Sequence, residues 1–390
     1  MSLDKELPKI PTTVKCKTMQ LAQEGGKMGW SVPQTTMDFF TDIRKPFIRS
    51  SPLAVLDHCP RKFLYESRLG IIPRRYESAL TMGTIVHKVL QSLFMGKTKE
   101  EALSVCERLL ATEQQRLIDD AGPDGFLPTG VPLDTTLKKL EEDYHKARAT
   151  GLVFWQFVPF NRNKWEVLRT PEGTPMVELL LECEYPGLSR PFRTPCDLVL
   201  IDKGTGEIWI VDFKTTGFDP KKRAVPTKIS AQLAVYRLSL QSHLDSWHEE
   251  GLAPKRTVVG SLHAIIKKSG IKFCGKDADF AAYVQRLIQW YKDADTKDPE
   301  NPPMILEPNR FTGPLMSREL WGRLKQYCKA CQAAPNVDAF YRSGESACLT
   351  FNRICPYMGL CNSDPAMWPD IIRERFEISF REDREEKEDG

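Results

Sequence analysis

Apolar residues in the first part of the chain recur at helical spacing. "SSPLAVLDHCPRKFLYESRLG" (50–70) has the pattern of an amphipathic helix with a break at Cys59-Pro60, and "SALTMGTIVHKVLQSLF" (78–94) repeats Leu80, Ile85, Leu90 and Phe94 along one face. Residues 99–150 continue the helical pattern around a Gly/Pro-rich loop, "AGPDGFLPTGVP". Then the period changes. "MVELLLECEY", "TPCDLVLID" and "EIWIVDFKTT" are short apolar runs rich in β-branched residues, and they predict successive strands. "DKGTGE" between the last two predicts a hairpin turn. "KISAQLAVYRLSLQSHL" (228–244) returns to helix, "RTVVGSLHAIIKK" (256–268) to strand, and "ADFAAYVQRLIQWYKD" (278–293) to helix.

This alternation predicts an α/β protein with a mixed sheet flanked by helices. We divide the chain into a lead-in (1–45), a helical region (46–165), an α/β core (166–300), a C-terminal helical and cysteine-bearing segment (301–380), and a disordered charged tail (381–390), "REDREEKEDG". Composition fits an ordinary globular protein: of 390 residues, 41% are hydrophobic and 27% charged. The net charge of +3 makes any nucleic-acid surface local rather than global. The start, "MSLDKELPKI", lacks the features of a signal peptide, and no apolar run approaches the ~18 residues of a membrane span. We therefore expect a cytoplasmic protein with no membrane partner. Oligomeric state is not legible.

Two of the expected strands carry acids. Asp197 and Asp212 lie on neighbouring strands joined by a tight turn, so a hairpin can set them side by side. Asp212 and Lys214 are two apart and face one way. Burying carboxylates is costly unless they are paired or bound to metal, and two acids at one spot repel unless a cation lies between them. A hard divalent ion such as Mg2+ suits two carboxylates and a carbonyl. An ammonium beside it could stabilise charge on a phosphate. A structural Asp–Lys pair at a strand edge is the plainer reading of D-x-K alone.

"TPCD", a strand, a turn and then "VDFKTT" together resemble the PD-(D/E)XK nuclease superfamily, with its restriction-endonuclease-like mixed sheet. The resemblance implies that Asp197, Asp212 and the Phe213 carbonyl hold Mg2+ or Mn2+ and that Lys214 is the catalytic lysine. "AQLAVY" places Gln232 and Tyr236 on one helical face, similar to the Q-x-x-x-Y motif of RecB-type nucleases, whose helix contacts DNA beside the active site. "MGTIVHKVL" supplies His87, which in that resemblance joins the metal. Glu178 or Glu182 could add a further acid. Cys196 departs from the small residue usual before the aspartate.

There are eleven cysteines, an odd number, which argues against a fully paired disulfide set. "CLTFNRICPYMGLC" holds Cys348, Cys355 and Cys361, and the fourth soft ligand of a closed site could be Cys59 in "DHCPRKFLYE". One cysteine before the core and three after it resemble the iron-sulfur nucleases of the CRISPR-associated exonuclease and AddB type. That implies a [4Fe-4S] cluster as a staple, with zinc as the alternative metal. Cys328 and Cys331 form a lone C-x-x-C without an assigned ligand role. Cys16, Cys106, Cys183, Cys196 and Cys274 read as core or incidental residues.

"QSLFMGKT" ends like a P-loop, but Gln91 stands where the motif needs its first glycine, and a helix precedes it. The chain thus carries no motor, which leaves unwinding to a helicase or recombination partner. Lys221, Lys222, Arg223 and Lys228, and then Lys267, Lys268 and Lys272, are candidate phosphate contacts. The reading is a metal-dependent DNA nuclease, an exonuclease acting in DNA recombination or repair in a bacterial cell or its virus-infected counterpart. The alternative is a non-catalytic module that binds DNA ends for a larger complex.

Overall fold

The computed structural model describes residues 15–20, 48–74, 78–157, 163–224, 231–311, 315–333, 340–350 and 353–378. Among these, the short apolar runs form one seven-stranded sheet in the order β1-β4-β5-β6-β7-β8, with β3 paired to β5. Strand β1 is Lys15–Gln20, β3 Trp165–Val167, β4 Val177–Glu184, β5 Phe192–Asp202, β6 Ile208–Thr216, β7 Val258–Lys267 and β8 Met304–Arg310. The sheet thus takes in β1 and β8, which lie outside the 166–300 segment. Neither has an uninterrupted apolar run: "KCKTMQ" and "MILEPNR" are edge strands.

The expected hairpin joins β5 to β6. The Asp202 side chain accepts from the backbone N–H groups of Gly204 and Thr205, and Gly206 takes a positive φ of 74°. Strands β4, β5 and β6 run antiparallel, whereas β6 and β7 are parallel. A parallel pair needs a crossover, and the helix Ala231–Glu249 supplies it.

Helices cover both faces. We number them α1 (Ser50–His58), α2 (Ser78–Phe94), α3 (Lys99–Asp120), α4 (Leu133–Phe157), α5 (Ala231–Glu249), α6 (Phe280–Lys297), α7 (Leu315–Gln332) and α8 (Trp368–Arg375). On one face, Val211, Phe213 and Leu198 meet α2, α4 and α6 through Val89, Phe154 and Leu287. On the other, Ile208, Ile210 and Leu179 meet α5 through Leu233, Tyr236 and Leu240. Helix α2 packs tightly on α4, because a Cβ at Gly151 would come within 2.8 Å of Val89. Helix α3 starts with a capping box between Thr98 and Glu101.

A third core joins the two ends of the described chain. Helix α1 stops at Cys59, Pro60 begins the next turn, and a π-helical turn spans Leu64–Arg68. Phe63 and Tyr65 from this segment pack with Tyr327, Phe340, Tyr357 and Trp368. Strand β2 (Ile71–Pro73) pairs with β9 (Phe376–Ile378), and the Tyr357 hydroxyl donates to the Ile71 carbonyl at 2.7 Å. The tail 381–390 and most of the lead-in lie outside the described residues.

Candidate active site

The regular pleat fails where the acids sit. In β4, Val177 faces the α2 layer, while Leu179 and Leu181 face α5. In β5, Cys196 faces α5 and Leu198 faces α2. Residues two apart in a regular strand would share a face, so the alternation breaks at Glu178 in one strand and at Asp197 in the next. Glu178 has φ of 50°, the left-handed region that a branched or long side chain rarely occupies. Backbone strain of this kind persists only where the surroundings enforce it, commonly at working sites.

The break brings three ligand atoms together. One atom each from His87, Glu178 and Asp197 lies within 4.8 Å of the others. His87 Nδ1 stands 3.3 Å from Glu178 Oε1 and 3.7 Å from Asp197 Oδ2. Its Nε2–H donates to the Phe213 carbonyl at 2.9 Å. Asp197 Oδ2 accepts the Phe213 backbone N–H at 2.9 Å. The paired register of β5 and β6 ends at Leu198 and Val211, so a carboxylate takes the N–H that the ladder would otherwise use.

Asp212 is outside that trio but beside it. Lys214 Nζ donates to its Oδ1 at 2.7 Å, and His263 Nδ1 approaches its Oδ2 at 3.4 Å. His263 is fully buried on β7, directly in register with Asp212. Sequence reasoning missed it. The available signal was a histidine in an otherwise apolar strand expected to neighbour the D-x-K strand.

The electrostatics separate the two aspartates. Burial is the largest influence on Asp197, and with the charges of Glu178 and Asp212 it outweighs His87, lifting the carboxyl to about 7. Burial also opposes charge on Asp212, but Lys214 and His263 prevail and hold it down at about 2. Burial disfavours the His87 imidazolium, yet Asp197 and Glu178 overcome this and raise it to about 9.

The two glutamates have different partners. Glu178 meets His87, whereas Glu182 accepts from Arg193 Nε at 2.5 Å. Gln232 Nε2 donates to the Tyr236 hydroxyl at 2.6 Å. Tyr236 is buried in the α5 core, and burial together with the charges of Asp197 and Asp212 pushes its hydroxyl well up. Tyr236 therefore lines the floor beneath the acids, and Gln232, half-buried one turn earlier, is the more accessible of the two.

The cysteines form a second neighbourhood. Cys59 is buried at the end of α1, and Cys348, Cys355 and Cys361 are half-buried. The Cys355 backbone N–H donates to the Cys348 carbonyl at 2.8 Å across a small hairpin, Leu349 opposite Ile354. Burial raises the thiols of Cys355 and Cys361; the Cys355 thiol also feels Cys348 and Cys59, and Cys361 feels Cys355. Lys62, Arg61 and Arg342 pull in the opposite direction, towards thiolate. These four cysteines are not among the groups whose ligand atoms lie within 4.8 Å, a span suited to a single ion. Cys328 and Cys331 are buried in α7 as core residues.

Of the basic residues, Lys221, Lys222 and Lys267 are exposed, Lys268 is half-buried, and Lys272 pairs with Glu142 at 2.8 Å. Lys228 and the Arg223 side chain lie outside the described residues. No helix among the described residues is long and apolar enough to cross a membrane.

A family model for the PD-(D/E)XK nuclease superfamily matches residues 50–362. None of the curated proteins matches the chain.

Proposed function

The chain belongs to the PD-(D/E)XK nuclease superfamily, and from that premise we propose that it is a Mg2+- or Mn2+-dependent deoxyribonuclease, an exonuclease of RecB type. The observation that carries this is the convergence of His87, Glu178 and Asp197 within 4.8 Å, with Asp212 and Lys214 on the adjoining strand. Two carboxylates, an imidazole and the Phe213 carbonyl make a mostly hard, anionic donor set, which fits a divalent cation of this class. We assign Asp197, Asp212, His87 and Phe213 to the metal, and add Glu178. When bound, the ion supplies Lewis acidity toward a phosphodiester.

The chain's own groups do the positioning. Asp212, held ionised by Lys214 and His263, keeps a negative charge at the site across the neutral pH range. Lys214 places an ammonium where charge develops on the phosphate oxygens. Asp197 fixes the Phe213 peptide through its N–H, and so orients the carbonyl on the next peptide unit. Gln232, on the helix flanking the acids, is placed to contact the DNA strand, and Tyr236 supports it from below.

We assign Cys59, Cys348, Cys355 and Cys361 to a [4Fe-4S] cluster of the CRISPR-associated exonuclease and AddB type. Support comes from their shared neighbourhood, where Cys355 feels both Cys348 and Cys59, and Cys361 feels Cys355. A role in recombination or repair beside a helicase, in a bacterial cytoplasm, follows from the same reading.

The test is digestion of end-labelled linear DNA and closed circular DNA, with Mn2+ and with EDTA. Label released from linear DNA only, and only with metal, is the expected result. Binding to DNA ends without cleavage under any metal would replace this reading with that of an end-binding module.

A further inference from the structure

A polar island lies inside the apolar core between the sheet edge and α5. Cys183 is fully buried on β4, and Ser239 and His243 are buried on α5 with Thr194 beside them. Cys16, half-buried on β1, stands directly opposite Cys183 in the antiparallel register. Burying so many polar groups in one place is costly unless they serve one another or a ligand.

The ligand atoms of Cys16, Cys183 and His243 all lie within 4.8 Å of one another. Cys16 Sγ is 3.8 Å from Cys183 Sγ, and Cys183 Sγ is 3.4 Å from His243 Nδ1. A tetrahedral zinc ion, with Zn–S near 2.3 Å and Zn–N near 2.0–2.1 Å, spaces two sulfurs by about 3.8 Å and a sulfur and a nitrogen by about 3.5 Å. The observed separations match those of ligands around one soft ion. A fourth donor is at hand. The Ser239 carbonyl oxygen is 3.6 Å from Cys183 Sγ and accepts from His243 Nδ1–H at 2.9 Å.

We propose that Cys16, Cys183 and His243 form a structural zinc site, with the Ser239 carbonyl in the fourth position. Binding releases one proton from each thiol. The ion takes the place of the hydrogen on His243 Nδ1, and the imidazole stays neutral with its hydrogen on Nε2. The ion would tie β1, an edge strand, to β4 and to α5. His243 lies seven residues beyond Tyr236, or about 10 Å along the helix, so the same ion would fix the far end of the helix that floors the acid site. The zinc site shares no residue with the acid cluster or with Cys59, Cys348, Cys355 and Cys361, and the proposal stands whether or not the nuclease reading does.

The test compares zinc content in the full-length protein and in Cys16→Ser, both equilibrated with zinc and then desalted. The variant should lose one equivalent per chain and keep DNA cleavage within about twofold. Using a difference removes any zinc held by the other cysteines. A second measurement uses the unaltered protein: iodoacetamide should spare Cys16 and Cys183 until a strong zinc chelator is added, and should label Cys16 afterwards. Equal zinc content in the two proteins would overturn the proposal. So would labelling of Cys16 at the same rate with and without chelator, or recovery of Cys16 and Cys183 as a disulfide from the zinc-equilibrated protein.

Discussion

The acid cluster and the cysteine neighbourhood are built on opposite plans. Around Asp197 and Asp212 the polar atoms hold one another: His87 to the Phe213 carbonyl, Asp197 to the Phe213 N–H, Lys214 to Asp212. The price is a strained Glu178 and a carboxyl that burial alone would keep protonated. Around Cys355 and Cys361 the apolar core does the holding, through Tyr65, Tyr357, Trp368 and the β2–β9 pair. The lesson is one of division of labour. A site built from mutual polar contacts is tuned for chemistry and gains little stability. A site resting on a core can be altered at its thiols with the chemistry left largely in place.

That contrast can be broken at four points, beginning with the largest effect on cleavage and ending with the smallest. The first is Lys214→Ala, which should lower the rate of DNA cleavage by about 10²–10³-fold or more, by analogy with loss of a single stabilising donor. Its melting temperature should fall as well, because Lys214 is the main charge holding the buried Asp212 carboxylate ionised. An active Lys214→Ala protein would remove the basis for assigning the lysine to the chemistry.

The second is pH. Metal ligands must lose their protons, so Mn2+ affinity measured by calorimetry should rise at least about tenfold from pH 6 to pH 9, as Asp197 passes about 7 and His87 about 9. The same shifts fix the stability trend in EDTA. Both groups have folded values raised above their usual ones, so the folded protein binds the extra protons. Its stability is therefore fullest at low values within this window and falls as pH climbs through about 7 and then about 9. Asp212 runs the other way, contributing above its usual range and losing that contribution as pH falls toward about 2. A melting temperature in EDTA that rises steadily from pH 6 to pH 9 would contradict the assigned shifts.

The third is Glu178→Gly. Glycine accepts the positive φ at this position without strain, while the carboxylate is lost. We expect metal affinity and cleavage to fall about 10–100-fold, as for other residues that orient a metal site, with thermal stability kept or slightly raised. A clear loss of stability, measured by thermal melting, would mean that Glu178 is structural.

The smallest effect on cleavage is expected for Cys361→Ser. If the proposed [4Fe-4S] assignment holds, the variant should carry no iron or brown colour and melt at a lower temperature, while the cleavage rate at a low assay temperature stays within about threefold. Colourless unaltered protein, purified without oxygen, would remove the iron-sulfur assignment and leave the acid site untouched.

Much of the fold could be read directly from the residues. The short apolar runs became β4, β5 and β6, "DKGTGE" became the hairpin, and the break at Cys59-Pro60 fell where proline begins a new turn. The edge strands β1 and β8 were hidden because a strand with one covered side has no continuous apolar run. In the site, D-x-K placed Asp212 and Lys214 on one side of β6, and the structure keeps them paired. Spacing could not separate Glu178 from Glu182, because the choice depends on a pleat break that a two-residue period does not encode. The pairing of His263 with Asp212 and of Cys16 with Cys183 could not be read for a related reason. Both depend on strand register, Asp212 against His263 and Cys16 against Cys183, and register is a property of pairing rather than of either strand alone.

A crystal of the protein grown with Mn2+ and measured by anomalous scattering tests the central claim most directly. We predict a manganese peak bonded to Asp197 and Asp212, with His87, Glu178 and the Phe213 carbonyl around it. A well-ordered acid cluster with no manganese, and the ion bound at some other place, would contradict the account.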